Sequence, residues 1–341
     1  MEQTTGEPKR PDRQQILDLM ASYQPLCVVG AAAELDLFTL LDGRTMSAGE
    51  VAERLRADLR ATTMLLDAVA ALRLLDKQGD CYCLPGELVR LLTASSPESI
   101  LPMIWHRMNV LRGWSQLAWV TKAGIPGPRQ SSIRGPAADR AAFVAAMHTY
   151  SGPVADELVA RLGPPQFKHL LDVGGASGTW TLAFLRAVPS AKATIFDLPD
   201  AIQQARQRIG GTEFADRVAL VPGDFYANDL PAGADLAWVS AIVHQHARLD
   251  NRQLFAKVYQ ALTPGGRIAI RDFVMHADRT SPLDGALFAI NMLVHTDTGG
   301  TFTFDELAED LRAAGFVDPE LKVEQQSMDS VVMATKPRED R

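Results

Sequence analysis

Residues 169–199, HLLDVGGASGTWTLAFLRAVPSAKATIFDLP, read as a strand, a glycine-rich turn, a helix and a second strand that ends in an acid. The mostly apolar run 170–173 suits a buried parallel strand, and helical spacing over 179–187 follows the turn. The turn itself contains Gly174, Gly175 and Gly178. Asp197 follows about 20 residues later, where nucleotide-binding units place a ribose-binding carboxylate. This order predicts a nucleotide-binding βαβ unit.

The details of the turn indicate which nucleotide it binds. The dinucleotide fingerprint G-x-G-x-x-G would need a glycine where the chain has Val173, which disfavours NAD. As D-x-G-x-x-x-G from Asp172, the stretch resembles the first motif of S-adenosylmethionine (SAM) methyltransferases, with Ala176 in place of a frequent middle glycine. A carboxylate at the strand end suits a cationic group such as the methionine amine.

Length and charge limit the possible functions. At 341 residues the chain is long enough for two domains, and its composition is ordinary for a globular protein. With 34 basic against 41 acidic side chains the formal net charge is −7, which argues against a nucleic-acid partner. The apolar run 26–33 is far shorter than the ~20 residues of a membrane helix, so we expect no membrane partner.

The cysteines indicate a reducing compartment. Cys27, Cys81 and Cys83 are few and odd in number and form no CxxC pair, which fits neither a disulfide framework nor a zinc site. We therefore expect a cytoplasmic protein. Its polar ends, residues 1–13 and 337–341, are predicted to be disordered tails.

The N-terminal region, residues 14–139, has the pattern of a helical, winged-helix-like domain. Helices are predicted at 48–55 and 60–74, and a hairpin at 75–84 would form the wing. Residues 16–40 are helical in pattern and carry more apolar side chains than one face of a solvated helix accommodates. We expect a second subunit to cover them, which predicts a homodimer formed through this domain.

The helix-turn-helix pattern leaves a DNA-binding regulator as an alternative. Charge disfavours it, because Arg60 and Arg73 share their helix with Asp58 and Asp67 and give no cationic face. A cluster of methionines and aromatic rings follows, which forms either ordinary core or one wall of a pocket for a flat substrate. Its members are Met103, Trp105, His106, Met108, Trp114 and Trp119.

The C-terminal region, residues 140–336, alternates strand and helix patterns and predicts a Rossmann-like, doubly wound, mostly parallel α/β sheet. Pro264-Gly265-Gly266 is expected to close the helix before a strand at 267–271, and 331–335 to form an edge strand. Ligands bind at the carboxyl ends of strands in such sheets. The residues at those ends are Asp197, Asp224, Phe225, Ser240, His244, Asp272 and Phe273.

Five blocks in order, LLDVGGASG, FDLP, GDFY, IVHQH and LTPGGRIAIRDF, resemble the class I SAM-dependent O-methyltransferases of the plant caffeate and bacterial polyketide type. The N-terminal helices resemble that family's winged-helix dimerisation domain, so the resemblance covers nearly the whole chain. It implies SAM as the cofactor, a homodimer, and a small aromatic or polyketide-like acceptor.

The resemblance also implies roles for individual residues. His244 matches the histidine of the family pattern I-L-H-D-W and would be the general base, with Asp272 as its catalytic partner. Asp197 would bind the ribose hydroxyls, and Asp224 the adenine amino group. The implied cofactor-binding residues are Asp172, Gly174, Gly175, Asp197, Leu198, Asp224, Phe225 and Ser240. The implied acceptor-binding residues are Met147, His148, Phe288, Asn291 and Met292.

The chain departs from the family pattern around the base. Gln245 replaces the aspartate that follows the histidine, and Phe302 stands where the family has a glutamate. Ser240 replaces a lysine that contacts SAM in the plant enzymes, which keeps a hydrogen-bonding group without the charge. Asp272 takes the place of the remaining family glutamate and is expected to orient His244.

The chemistry of methyl transfer supports the same base. A sulfonium is a good leaving group, and an imidazole is well matched to remove a phenol proton near neutral pH, contributing about 10²–10⁴-fold. The leading prediction is therefore O-methylation. The alternatives are N- or C-methylation, a non-methylating reaction that uses SAM, and a SAM-sensing regulator. No metal is expected, because nothing fixes a third ligand beside His246 with His276 or His295.

Overall fold

The computed structural model describes residues 10–163, 166–176 and 178–338. Within this part the chain divides into two compact units. The first comprises the chain up to Asn109 together with Ser131–Phe143, and the second comprises Val110–Gln130 and the chain from Val144 onward. Of the two predicted tails, residues 1–9 and 339–341 lie outside the described residues, while Arg13 already begins the first helix.

The first unit is helical with a small antiparallel sheet. Its elements up to residue 92 are α1 Arg13–Ala21, α2 Tyr23–Glu34, α3 Leu37–Leu40, β1 Thr45–Ser47, α4 Ala48–Leu55, α5 Leu59–Ala71, β2 Asp76–Gln78, β3 Cys81–Cys83 and α6 Gly86–Leu92. Helix α4 begins in a capping box formed by Ser47 and Glu50. The strands pair in the order β1-β3-β2, so the predicted hairpin at 75–84 is confirmed.

Helices α1 and α2 carry exposed apolar side chains. No residue of α1 is buried, and Leu19 and Met20 are 69% and 68% exposed. By length and hydropathy alone, Arg13–Glu34 is also the single stretch of the described residues that could cross a membrane, with 17% of the tested window buried. Of the apolar side chains predicted in surplus, those of α1 are therefore exposed, whereas Ala32 and Ala33 of α2 are buried.

Helices α7 Leu101–Trp114 and α9 Pro136–Arg161 contain residues of both units, with α8 Leu117–Ala123 between them. The remaining elements are β4 His169–Val173, α10 Thr179–Ala187, β5 Lys192–Asp197, α11 Pro199–Ile209, β6 Val218–Pro222, β7 Ala234–Ser240, α12 Arg248–Ala261, β8 Leu262–Asp272, β9 Val274–Met275, α13 Leu283–His295, β10 Phe302–Thr303, α14 Phe304–Ala313, β11 Val317–Val323 and β12 Ser330–Thr335. Seven strands form one sheet in the order β11-β12-β8-β7-β4-β5-β6. Strands β8 to β6 are parallel, and β12 pairs antiparallel with both neighbours, which confirms the predicted Rossmann-like sheet.

Two details of the predicted sheet are wrong. Strand β12 is not an edge strand, because β11 pairs with it and forms the edge. Helix α12 ends at Ala261, and Pro264-Gly265-Gly266 lies within β8 instead of closing the helix. Gly265 has φ +79°, and its N–H donates to the Lys336 carbonyl at 3.0 Å. The glycine therefore lets β8 bend at its start while the backbone stays hydrogen-bonded.

Helices cover both faces of the sheet. One core cluster contains Phe255 of α12 and Leu311 of α14, and the other contains Trp180 and Phe184 of α10. Because successive side chains of a strand point to opposite faces, neighbouring residues at a strand end contribute to different clusters. The face covered by α12 and α14 is called the α12 face below, and the opposite face, covered by α9 and α10, the α10 face.

Candidate active site

The glycine turn joins β4 to α10 at the carboxyl edge of the sheet. Gly174 has φ +68°, and a Cβ on it would lie 2.5 Å from Cδ1 of Ile242. A Cβ on Gly175 would lie 2.7 Å from Cγ of Asp172. Neither position accommodates a side chain, as expected of a turn whose backbone a ligand approaches closely.

Asp172 lies beneath this turn on the α10 face and is 1% exposed. Its Oδ2 accepts a hydrogen bond from Thr181 Oγ1 at 2.6 Å. Burial, with a smaller effect of the nearby Asp197, raises the pKa of the Asp172 carboxyl to about 7. The group is therefore balanced between its neutral and ionised forms near neutral pH, and a cationic ligand beside it would favour ionisation.

Asp197 ends β5 and turns its carboxylate toward the glycine turn. One oxygen accepts from Ala176 N and the other from Leu198 N, both at 2.7 Å. Burial raises the pKa of this carboxyl. Asp197 thus ties the turn to the end of the next strand, and Leu198 beside it is exposed.

The loop after β6 carries the two residues predicted for adenine. Asp224 Oδ1 accepts from Tyr226 N at 2.9 Å, and the Phe225 ring lies 4.9 Å and 5.6 Å from the rings of Tyr226 and His246. The ammonium of Lys257 donates to the carbonyls of Phe225 and Tyr226 at 2.6 Å and 3.2 Å. The sequence prediction missed Lys257, which holds this loop from α12.

His244 lies in a 3₁₀ turn, Val243–Gln245, that follows β7. Its Nδ1 is 2.9 Å and 2.8 Å from the two carboxylate oxygens of Asp272, and both side chains are buried. Phe273 N also donates to Asp272, at 2.8 Å. Because a carboxylate only accepts hydrogen bonds, Nδ1 carries the proton, and Nε2 of the neutral ring is left as the proton acceptor.

The backbone holds His244 from two more sides. Ala241 has φ +57°, which is uncommon for a residue with a side chain, and it begins the sharp turn after β7. The His244 carbonyl accepts from Gly300 N at 2.9 Å, and a Cβ on Gly299 would lie 2.5 Å from that oxygen. Gln245 Nε2 donates to the Ala241 carbonyl at 2.9 Å, so Gln245 braces this turn and leaves the imidazole to Asp272.

Ser240 has a charged partner that the sequence prediction missed. Arg271, 1% exposed, donates from Nη1 to Ser240 Oγ at 3.1 Å and from Nη2 to Asp329 Oδ1 at 2.6 Å. The signal available in the sequence was a single arginine within the apolar strand pattern RIAIRDF. Ser240 stands where the plant enzymes of the family have a lysine, and the guanidinium of Arg271 lies next to it.

The predicted acceptor residues lie on two helices, α13 and α9. The Phe288 ring lies 4.8 Å from the His244 ring, and Asn291 Oδ1 accepts from Trp114 Nε1 at 2.9 Å one turn along α13. Met292, also on α13, is buried. His148 instead lies 2.9 Å from Thr179 Oγ1 at the start of α10, and Met147 precedes it on α9.

Two further observations bear on the predicted site. Burial lowers the pKa of His148 to about 4, so this ring is neutral near neutral pH. Phe302, at the position of a family glutamate, is 9% exposed in the core of the α12 face.

The histidines considered and rejected as metal ligands in the sequence have separate partners. His246 Nδ1 contacts the Tyr226 hydroxyl, His276 lies 3.7 Å from Glu324, and His295 Nδ1 lies 2.9 Å from the Asn291 carbonyl. Among the described residues, no group of three His, Cys, Asp or Glu side chains could hold a metal ion.

The site is thus a glycine turn, acids near the ends of three neighbouring strands, and a buried His–Asp pair beside them. This combination is typical of a site for a nucleoside-containing cofactor, with a side chain nearby that can accept a proton. Family comparison agrees: the model of the O-methyltransferase domain matches residues 107–317, and that of the O-methyltransferase dimerisation domain matches residues 17–94. The chain belongs to the SAM-dependent O-methyltransferase family and is a SAM-dependent methyltransferase, as the sequence blocks predicted.

Individual relatives span nearly the whole chain. The tetracenomycin polyketide synthesis 8-O-methyl transferase TcmO of Streptomyces glaucescens is 32% identical over 89% of this chain and 91% of its own length. The N,N-dimethyltransferase OxyT of Streptomyces rimosus is 27% identical over 94% and 96%. Human N-acetylserotonin methyltransferase in complex with SAM has a TM-score of 0.77 and 25% identity over 97% of this chain and 100% of its own.

Proposed function

We propose that this enzyme transfers the methyl group of SAM to a hydroxyl of a small aromatic or polyketide-like acceptor, with His244 as the general base. The buried His244–Asp272 pair carries the proposal, because it leaves one imidazole nitrogen free to accept a proton. TcmO, named as a polyketide O-methyl transferase, supports the acceptor class.

The cofactor-binding residues proposed above suit the parts of SAM. The buried carboxyl of Asp172 would take the methionine amine, and Asp197 would take the ribose hydroxyls. Asp224 and Phe225 would bind the adenine, and Leu198 would lie beside the nucleoside. Gly174 and Gly175 let the turn pack tightly against Ile242 and Asp172, and their backbone would face the methionine part. When bound, SAM supplies an electrophilic methyl group on a sulfonium.

The role of His244 follows from its hydrogen bonds. Asp272 fixes the ring orientation and the tautomer, so that Nε2 is the atom that accepts the acceptor's hydroxyl proton. Asp272 then stabilises the imidazolium that forms. Phe288, whose ring meets the His244 ring edge to face, would pack against a flat acceptor, with Asn291 and Met292 further along α13. Met147 and His148 are proposed to contact the acceptor from α9.

N-methylation is the second candidate, because the N,N-dimethyltransferase OxyT matches 94% of the chain. A matched probe pair separates the two reactions: 1-naphthol and 1-naphthylamine, each incubated with SAM carrying a labelled methyl group. The naphthol and the hydroxyanthraquinones of a wider panel should gain the label on oxygen, at least tenfold faster than the amine. Labelling of amines alone would reject the hydroxyl acceptor, and labelling of carbon would point to C-methylation.

We also propose a homodimer in which a second copy covers α1 and α2. The dimerisation domain that matches residues 17–94 and the exposed Leu19 and Met20 support it. Light scattering should give about twice the chain mass of 37.1 kDa. The double variant L19D/M20D should shift the protein toward the monomer, and a wild-type monomer at micromolar concentration would contradict the proposal.

A further inference from the structure

Arg271 is among the largest fully buried side chains of the protein and lies on a strand whose other buried residues are mostly apolar. Burial of a cation is strongly unfavourable unless the charge is paired and hydrogen-bonded. Asp329 Oδ1 accepts from both Nε and Nη2 of Arg271, at 2.9 Å and 2.6 Å, and the Trp180 ring centroid lies 4.6 Å from the guanidinium carbon. An apolar side chain could fill this space without needing a paired acid, so the position of the charge calls for another explanation.

The remaining hydrogen bond of Arg271 is directed to the cofactor end of the sheet. Nη1 donates to Ser240 Oγ at 3.1 Å, and the two residues are paired across β7 and β8. Val239, just before Ser240, pairs with Val173, just before the glycine turn. Because the serine oxygen accepts from a cation, its own O–H remains a donor and is polarised by the charge.

We propose that Arg271 is a positioning residue, which orients and polarises Ser240 so that the serine hydroxyl donates to the methionine carboxylate of SAM. The inference rests on the proposed placement of Ser240 in the cofactor site. Asp172 lies on the same α10 face of the sheet and repels an anion, which assigns the amine to Asp172 and the carboxylate to Ser240. The neighbouring strand thereby supplies the charge that residue 240 lacks.

Binding of two matched ligands tests the inference by calorimetry without turnover: S-adenosylhomocysteine, and its decarboxylated analogue, which keeps the amine. S240A should weaken S-adenosylhomocysteine binding about tenfold and change binding of the analogue less than about twofold. Equal weakening of both ligands, or of neither, would overturn the inference. Failure of the wild type to bind S-adenosylhomocysteine would instead reject the cofactor site on which the inference rests.

R271M tests the positioning role, with R252M as the matched control. Arg252 also pairs with a buried acid, Asp310, but between α12 and α14. Both variants should lower the melting temperature, and only R271M should reduce the preference for S-adenosylhomocysteine over the analogue, about tenfold or more. R271K should restore part of the preference. A folded R271M with the wild-type preference would overturn the inference, and if R271M does not fold, S240A decides.

Discussion

Arg271 and Asp272 are consecutive buried residues at the end of β8, yet they form hydrogen-bonded pairs on opposite faces of the sheet. Asp272 binds His244 on the α12 face, and Arg271 binds Asp329 on the α10 face. The pairs differ in what they leave available. His244 keeps Nε2 for a proton, whereas each nitrogen of Arg271 has an acceptor.

Because successive side chains of a strand point to opposite faces, the two pairs can serve two different tasks, the reaction and cofactor binding. In the proposed mechanism the His–Asp pair exchanges a proton, and the Arg–Asp pair holds Ser240 in place. We therefore expect substitutions on the α12 face to change kcat, and substitutions on the α10 face to change cofactor affinity.

Removal of the base should have the largest effect. H244A should lower kcat by about 10²–10⁴-fold, because the imidazole is the proposed acceptor of the hydroxyl proton. S-adenosylhomocysteine affinity, measured by calorimetry, should change little. H246A is the matched control: this ring lies two residues away, contacts Tyr226, and should leave kcat within a few-fold of the wild type. Equal losses in both variants would mean that the turn, and not the base, matters.

Loss of the carboxylate behind the base should come next. D272N should lower kcat about 100-fold, because an amide no longer fixes the Nδ1–H tautomer or stabilises the imidazolium. Steady-state kinetics with saturating SAM would measure it, with thermal unfolding as the control for folding. If D272N weakened cofactor binding as much as it lowered kcat, the proposed assignment of the two faces to different tasks would be wrong.

The pH dependence of cofactor affinity tests the α10 face. Since burial holds the pKa of Asp172 at about 7, above its ordinary range, the ionised form that binds an amine is lost as pH falls through 7. Binding of S-adenosylhomocysteine should therefore weaken about tenfold from pH 8 to pH 6, as expected for one titrating group. D172N should bind more weakly with little dependence on pH. If D172N kept the pH dependence of the wild type, that dependence would come from a group other than Asp172.

The smallest effect is expected at Gln245. Its amide donates to the Ala241 carbonyl and has no hydrogen bond to the imidazole in the described chain. Q245A should therefore change kcat by less than about twofold while lowering the melting temperature slightly. A large loss of kcat in Q245A would show that the residue after the base still orients it.

The sequence predicted which motifs form the site, but it did not predict the side-chain contacts between neighbouring strands. The glycine turn, the strand-end acids and the His244 motif are local patterns, and the structure places them along one edge of the sheet. Asp272 was expected beside His244 and is there. The partner of Arg271 was not predictable, because Asp329 approaches only once β12 has paired with β8.

Two predictions from local sequence patterns were wrong because the pairing of strands determined the structure there. Pro264-Gly265-Gly266 has the composition of a helix stop, but pairing with the neighbouring strands extends β8 back through it. The last strand, β12, was expected at the edge of the sheet, but β11, which precedes it in the chain, pairs antiparallel with it and takes the edge.

The proposed role of His244 as general base is tested directly by the ratio of wild-type to H244A turnover over a series of naphthols of decreasing pKa. With 1-naphthol, a phenol of pKa about 10, the ratio should be about 10²–10⁴. It should fall toward 1 for a nitronaphthol that is already ionised at the assay pH, since no proton then has to be removed. A ratio that is large and independent of acceptor pKa would contradict the assignment of His244 as the general base.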